Sequence, residues 1–227
     1  AWSMKRAIRR IVLSATYRQS VAVNAGAAGL DPRNQLLWRH PGHRLGAETI
    51  RDQALAIGGL LDRRLYGVNV RPYQPATFWR KGAGQSEVHY LPSQGPDAHR
   101  RGVYTLWRRN AHYPSFANFD APDRTACVVQ RDLSNTPLQA LTLLNDPVYV
   151  EIAEAFGKRI ADEGGMDTGE RIDWAFRTAL TRAPAEPEQQ LLLSAFETVR
   201  AESGSEERAW REVATILLNL HETINRP

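Results

Sequence analysis

The chain contains a single cysteine, Cys127, and this scarcity excludes an internal disulfide bond and any zinc site built from two or more thiolates. It has no Cys-x-x-Cys-His motif, so these residues do not attach haem covalently. No apolar run approaches the roughly 18 residues of a membrane-spanning helix. The nucleophile elbow, the P-loop and the dinucleotide-binding fingerprint are also missing. The six histidines show no metal-ligand spacing, and we predict no metal site.

What is present is an ordinary globular composition. Of 227 residues, 42% are hydrophobic and 24% are charged, which fits one large domain or two small ones. We predict a single, mainly α domain over residues 1–227 that is a C-terminal piece of a longer protein. Its parts are N-terminal helices over 1–61, an irregular segment over 62–135 and an antiparallel helical bundle over 136–227.

The first part reads as two helices. Ser3 can cap a helix in which apolar residues recur at helical spacing, and residues 20–43 read as a loop. A second helix is expected from about 44 to 61. On its wet face we expect an ion pair of Arg44 with Glu48, together with Arg51 and Asp52.

Residues 62–124 are rich in proline, glycine and aromatic residues. Ten of the nineteen aromatics lie between Tyr66 and Phe119, so we expect an ordered, irregular segment with at most short strands or turns. From Thr136 onward, capping signals and apolar stripes predict five helices joined by short linkers. Gly164-Gly165 and Ser203-Gly204-Ser205 end two of them.

Charge is distributed unevenly along the chain. Residues 1–20 carry five basic side chains and no acid, whereas residues 183–227 carry eight glutamates against four arginines. A basic end can bind nucleic acid, but it more often faces an acidic surface in the same polypeptide. The acidic C-terminal part and the lack of a groove-reading motif favour the second interpretation.

Two polar segments could carry chemistry. Asp120 and Asp123 lie three apart beside Arg124, a pattern that can divide acid and base roles in glycoside hydrolysis but also fits a capped turn. The second segment precedes a helix N-terminus, which can hold an anion or be a simple capping box. Its candidate binding residues are Arg131, Asn135, Thr136 and Gln139.

Aromatic side chains of the irregular segment are candidates for stacking on sugar rings, and the alternative is that they form its own small core. The residues in question are Trp79, Tyr104 and Trp107. Cys127 lies in an apolar run, so we expect a buried, inert thiol in preference to a nucleophile.

Several ordered strings resemble one family, the planctomycete-specific C-terminal domain of unknown function found in large exported proteins. They cover nearly the whole chain: WSMKR (2–6), IVLSATYRQS (11–20), DPRN (31–34), LWR (37–39), RLGAETIRD (44–52), VRPYQP (70–75), FDAPDR (119–124), NTPLQALTLLNDP (135–147) and LLNLHE (217–222). One departure is RDLSNTP at 131–137, where the family usually has a more basic run ending in RTNTP.

The resemblance implies a context. Relatives usually carry an N-terminal cytochrome-c-like haem domain, so haem is expected in an absent domain and no cofactor in this chain. It also implies an extracytoplasmic location, with the other domains of the same polypeptide as partners, and it supplies no catalytic residues. Two hypotheses follow. The first is a non-catalytic interaction module that packs on its neighbour through the basic first helix and the irregular middle. The alternative is polysaccharide or sulfated-glycan binding or hydrolysis through Asp120, Asp123, Arg124, Arg131 and Asn135.

Overall fold

The fold is mainly helical, as predicted. A computed structural model describes residues 2–75, 90–108 and 111–226. Its helices are α1 (Met4–Val12), α2 (Ala25–Leu30), α3 (Ala47–Ile57), α4 (Pro114–Asn118), α5 (Pro137–Asn145), α6 (Pro147–Glu163), α7 (Thr168–Leu180), α8 (Glu186–Ser203), α9 (Glu206–Asn219) and α10 (His221–Ile224). Two 3-10 turns lie at Gly95–His99 and Gly102–Tyr104, and the strands β1 (His43–Arg44) and β2 (Asn225–Arg226) form an antiparallel pair.

The chain forms two compact units. Ala1–Arg44 together with Asn225–Pro227 make the smaller one, and Leu45–Ile224 make the larger one. That the whole chain is one domain of a longer protein stays a prediction.

The smaller unit contains α1, α2 and the β1–β2 pair. Ser3 caps α1 as predicted, because its Oγ accepts a hydrogen bond from the Arg6 N–H at 3.3 Å. The expectation of loop throughout 20–43 was wrong, since α2 lies there. Asn24 caps α2 by accepting from the Ala27 N–H at 3.0 Å, which satisfies one of the free donors of the first turn.

The larger unit is a helical bundle around one apolar core. α9 packs against both α6 and α8, and α7 packs against its neighbours α6 and α8. Phe156, Phe196 and Trp210 are almost completely buried at its centre. α6 and α9 approach so closely at Gly157 that a Cβ there would lie 2.8 Å from the Arg211 backbone nitrogen. The predicted apolar stripes therefore do face the core.

Sequence signals placed most boundaries of these helices correctly. Asp146 starts α6 by accepting from the Val148 N–H at 2.9 Å, and Gly204 ends α8 with a φ of 66°. Asp167, and not the predicted Thr168, caps α7. The predicted last helix is interrupted at Leu220, after which α10 follows.

The helix expected over 44–61 is shorter, and one residue predicted on its solvent-exposed face, Arg51, is buried. Gly46 precedes α3, and Gly58 and Gly59 end it, the latter with a φ of 74°. Arg51 is 1% exposed, because its guanidinium donates to backbone carbonyl groups of the irregular segment. Tertiary hydrogen bonds have overridden the preference of an arginine for water.

In its described part, the segment 62–135 is irregular. Isolated bridges join Asp62 to Arg100 and Val70 to Thr105. The longest helical elements are α4 and the 3-10 turn Gly95–His99, with five residues each. The side chain of Arg100 fixes the segment internally by donating to the carbonyl oxygens of Val68 (2.6 Å) and Tyr66. Order here comes from isolated backbone bridges and from side-chain to backbone hydrogen bonds, in place of regular ladders.

Candidate functional site

Asp120, a predicted site residue, accepts several hydrogen bonds through its carboxylate. Its carboxylate accepts from the Ser134 N–H at 2.8 Å and from the Ser134 hydroxyl at 2.7 and 2.9 Å. Gln139 Nε2 adds a third, longer contact at 3.4 Å. The backbone of Asp120 is left-handed, with a φ of 59°, a conformation that Asp and Asn adopt more readily than most residues. Asp120 thus ties the turn after α4 to the segment before α5.

Gln139 connects this clamp to the helix that follows. It is 1% exposed, and its amide nitrogen donates to the Asn118 carbonyl at 3.0 Å and to Ser134 Oγ at 3.1 Å. Its oxygen accepts from the Thr136 N–H at 3.5 Å, which completes the predicted capping box. Thr136 and Gln139 therefore act in helix capping. Asn135 is exposed at the same turn and also has an interaction partner.

Asp123 and Arg124 are held by different neighbours. The Asp123 carboxylate accepts from the Thr125 N–H at 2.9 Å and from its hydroxyl at 2.8 Å, and these bonds lower its pKa. The Arg124 guanidinium lies 4.5 Å from the centre of the Trp107 ring. The two carboxylates of the predicted pair thus serve two separate turns.

The aromatic candidates are engaged within the chain as well. Trp107 stacks on His112 at 5.5 Å and donates from Nε1 to the Asp123 carbonyl at 3.1 Å. The Tyr104 hydroxyl accepts from the Tyr66 N–H at 2.8 Å, and the Arg100 guanidinium lies over its ring. These contacts favour a small core of the segment over an open stacking surface. Trp79 lies outside the described residues.

Arg131 forms a bidentate ion pair with Glu48, at 2.7 and 3.0 Å, across 83 residues of sequence. Burial acts to raise the pKa of Glu48, but hydrogen bonds from Arg131 and from the backbone of Glu48, together with the charges of Arg131 and Arg124, outweigh it, and the net shift is downward. The pairing expected between Glu48 and Arg44 on one helix is thus replaced by a tertiary one, whose geometry suits an arginine fork. This pair fixes the segment before α5 to the start of α3.

A shallow groove of about 430 Å³ lies beside α3, at Thr49, Asp52, Gln53, Leu61, Arg63 and Arg101. Asp52 accepts from the Gly102 N–H at 2.5 Å and lies 3.6 Å from the Arg101 guanidinium. Burial raises the pKa of Asp52 in spite of these partners. Asp52 was predicted on the solvent-exposed face of its helix. It is partly exposed, and the groove gives its carboxylate access to solvent.

Cys127 corrects another expectation. Its side chain is exposed, because its apolar neighbours belong to an irregular segment that does not fold into the core. Among the described residues, no group of three or more His, Cys, Asp or Glu side chains could hold a metal ion. A helix long and apolar enough to cross the bilayer is likewise missing from the described parts of the chain.

A further exposed surface belongs to α1. Every residue of this helix is exposed, although its two faces differ sharply in character. Met4, Ile8 and Ile11 project on one face and are 78%, 54% and 60% exposed. The opposite face carries the basic side chains Lys5, Arg6, Arg9 and Arg10. The sequence predicted this amphipathic pattern, but it could not say that the apolar face is left uncovered.

Comparison with known proteins gives one finding. A family model described as PSD1, a protein of unknown function (DUF1553), matches residues 1–196. No curated protein and no solved structure matches the chain.

Proposed function

The chain belongs to the PSD1 family of proteins of unknown function (DUF1553), and on that premise we propose that it is a non-catalytic docking module. The apolar face of α1 packs on a neighbouring part of the same polypeptide. One observation carries the proposal: a strongly amphipathic helix buries none of its residues.

Helix α1 is too short to be stable without a partner. It has nine residues, whereas isolated helices below about 12–15 residues are marginal in water. Its cap at Ser3 and the cations Arg9 and Arg10 in its last turn stabilise it locally. In proteins, most helical stability comes from packing an apolar face. The exposed side chains of Met4, Ile8 and Ile11 are therefore the surface on which a partner would pack.

The chemistry of that partner follows from the two faces. The apolar stripe fits a complementary apolar groove on the partner. The basic side chains of α1 fit carboxylates along the rim of that groove. Since residues 1–20 contain no acid, such a rim would also speed association at low salt. We propose that this acidic, apolar surface lies on a preceding domain.

Contacts of the predicted catalytic residues and of the predicted binding residue Arg131 support a non-catalytic role. Asp120 and Asp123 are hydrogen-bonded to Ser134 and Thr125, and Arg131 is paired with Glu48. Each of these side chains thus has a structural partner. The wider context, an exported protein in which another domain binds haem, rests on the resemblance of the sequence strings and is part of this proposal.

Binding in trans tests the proposal. The 227-residue chain would be mixed with the remainder of its natural polypeptide, and the Kd measured at two salt concentrations. The double substitution Ile8→Ser and Ile11→Ser should weaken binding by about tenfold or more, since it removes half-exposed side chains from an interface. Leu191→Ser on α8, 65% exposed, is the matched control and should leave Kd unchanged. Equal affinity of both variants would contradict the proposal.

The alternative, binding or hydrolysis of a polysaccharide or sulfated glycan, makes a different prediction. It requires Asp120 or Asp123 to leave Ser134 or Thr125 and contact a ligand. A screen of the folded chain against neutral and sulfated glycans at two salt concentrations separates the two functions. Salt-resistant binding to one glycan class, lost in Asp123→Asn, would favour the alternative.

A further inference from the structure

Two arginines lie side by side at the groove beside α3. A parallel bridge pairs Asp62 with Arg100, and the Asp62 N–H donates to the His99 carbonyl at 3.0 Å. Paired chains lie about 4.8 Å apart, and successive side chains point to opposite faces. Arg63 and Arg101, which follow the bridged residues, therefore project from the same face. Both line the groove, in agreement with this register.

The positive charges of these two side chains are only partly compensated. Arg101 Nε lies 3.6 Å from Asp52 Oδ2, which makes a long ion pair. The side chain of Arg63 is exposed and has no hydrogen-bond or ion-pair partner among the described residues. Like charges that face each other across paired chains are destabilising. The groove is lined by two positive charges and one negative charge, so one further negative charge would balance it.

This charge balance and the shape of the guanidinium group favour a carboxylate as the ligand. A carboxylate carries one negative charge, and its two oxygens match the fork of N–H donors on an arginine. A phosphate group carries about 1.5–2 negative charges at neutral pH, which exceeds the charge to be balanced, and Asp52 would repel it more strongly. Leu61 adds an apolar surface that suits the carbon skeleton of an organic acid.

Two further polar side chains of the groove suit a hydroxyl group on the same ligand. Asp52 Oδ1 accepts from the Gly102 N–H at 2.5 Å, whereas Oδ2 has the long contact with Arg101. Burial raises the pKa of Asp52 in spite of these partners, so a further donor would stabilise its charge. A hydroxyl can donate to Asp52 and accept from the hydroxyl of Thr49, one turn earlier on α3.

We propose that the groove beside α3 binds a small organic acid with one carboxylate and at least one hydroxyl group. The carboxylate lies between Arg63 and Arg101, and the hydroxyl bonds to Asp52 and Thr49. The volume of the groove, about 430 Å³, is near the lower end of the range of small-molecule sites. All of its lining residues belong to the larger unit, so the site is independent of the docking role of α1.

Titration of the full chain with lactate, followed by NMR, tests the site. Lactate should shift the Nε–Hε resonances of Arg63 and Arg101 saturably, with a Kd of about 1–10 mM for so small a ligand in an open groove. Arg63→Met should raise this Kd about tenfold or more, because it removes a charge-assisted contact, and Tm should not fall. Arg208→Met on α9 is the matched control: this arginine is also exposed, its side chain has no partner among the described residues, and Kd should not change.

Two other ligands test the chemistry of the site in the same titration. Propionate lacks the hydroxyl group and should bind severalfold more weakly than lactate. Phosphate at neutral pH should also bind more weakly, because its charge is too high for the groove. The proposal is overturned if either ligand binds as tightly as lactate, or if lactate gives no saturable shift at Arg63. It is likewise overturned if Arg63→Met leaves Kd unchanged or has no larger effect than Arg208→Met.

Discussion

Replacing Asp120 by alanine should destabilise the fold, although this residue was first singled out as a possible catalytic acid. The change removes the acceptor of the Ser134 N–H, the Ser134 hydroxyl and, at longer range, Gln139. It also places alanine at a φ of 59°, a backbone conformation that Asp tolerates better. The clamp between the turn after α4 and the segment before α5 would then be lost.

The size of the effect follows from these contacts. A hydrogen bond to a charged group contributes about 1.5–3 kcal/mol. Ser134 makes two short ones to a partly exposed carboxylate, so we take the lower end for each and expect a loss of about 3 kcal/mol. For a chain of this size, that corresponds to a fall in Tm of roughly 6–12 °C. Asp120→Asn keeps a side-chain oxygen and the tolerance for positive φ, and it should cost less than half as much.

Thermal unfolding followed by circular dichroism measures the Tm of these Asp120 variants. Asp123→Ala is the matched control, because among the described residues its carboxylate accepts hydrogen bonds from Thr125 alone, at an exposed turn. It should lower Tm by about 3 °C or less. The reasoning would be refuted if Asp120→Ala left Tm unchanged. If it also abolished binding to a glycan, the catalytic or binding interpretation of this residue would replace the structural one.

Three further predictions concern other parts of the chain. Gly157→Ala should lower the free energy of unfolding by roughly 1–3 kcal/mol or prevent folding, because the added Cβ would meet the backbone of α9. Gly29→Ala in α2 is the control: its Cβ would enter open space, and Tm should not fall. Hydrogen bonds from Arg182 lower the pKa of Glu188 to about 2. Their stabilisation is thus complete above about pH 4.5 and is lost as pH falls towards 2, so Glu188→Gln should flatten the dependence of Tm on pH in that window, and an unaltered profile would contradict this. Cys127 should react with about one equivalent of a thiol reagent in the native protein, because it is exposed; a need for denaturant would contradict its placement.

The helical bundle was predictable because its signals are local. In α6, the stripe Val148, Ile152, Phe156 and Ile160 repeats at helical spacing, and all four side chains are buried. The capping residue at each start lies next to the helix that it caps. Periodicity therefore places both the helix and its buried face without knowledge of any other element.

Long-range pairs were beyond the same reasoning. Glu48 has a plausible partner four residues away, yet it pairs with Arg131 across 83 residues. Arg51 looked like a surface residue because arginines usually are, but its acceptors are carbonyls 47 and 49 residues ahead. Sequence spacing carries no signal for such contacts, and only the fold brings the partners together.

The candidate site shows the same limit. The densely polar segments at 119–124 and 131–139 were recognised, and the structure places Asp120, Ser134 and Gln139 in contact. A dense cluster of polar residues in the sequence did not distinguish a ligand-binding site from a structural contact. A ligand and a neighbouring turn can each supply hydrogen bonds to the same carboxylate. The role of Ser134 as the partner of Asp120 depends on the turn after α4, and the sequence carries no signal for it.

Amide hydrogen exchange over α1 tests the docking proposal most directly. It would be measured by mass spectrometry in the 227-residue chain and in the longer polypeptide that the docking proposal assumes. In the chain alone, the amides of Met4–Val12 should exchange fast, because a nine-residue helix with no buried residue opens readily. In the longer polypeptide the account predicts strong protection, which Ile8→Ser and Ile11→Ser together should remove. Fast exchange of α1 in both forms would contradict the account.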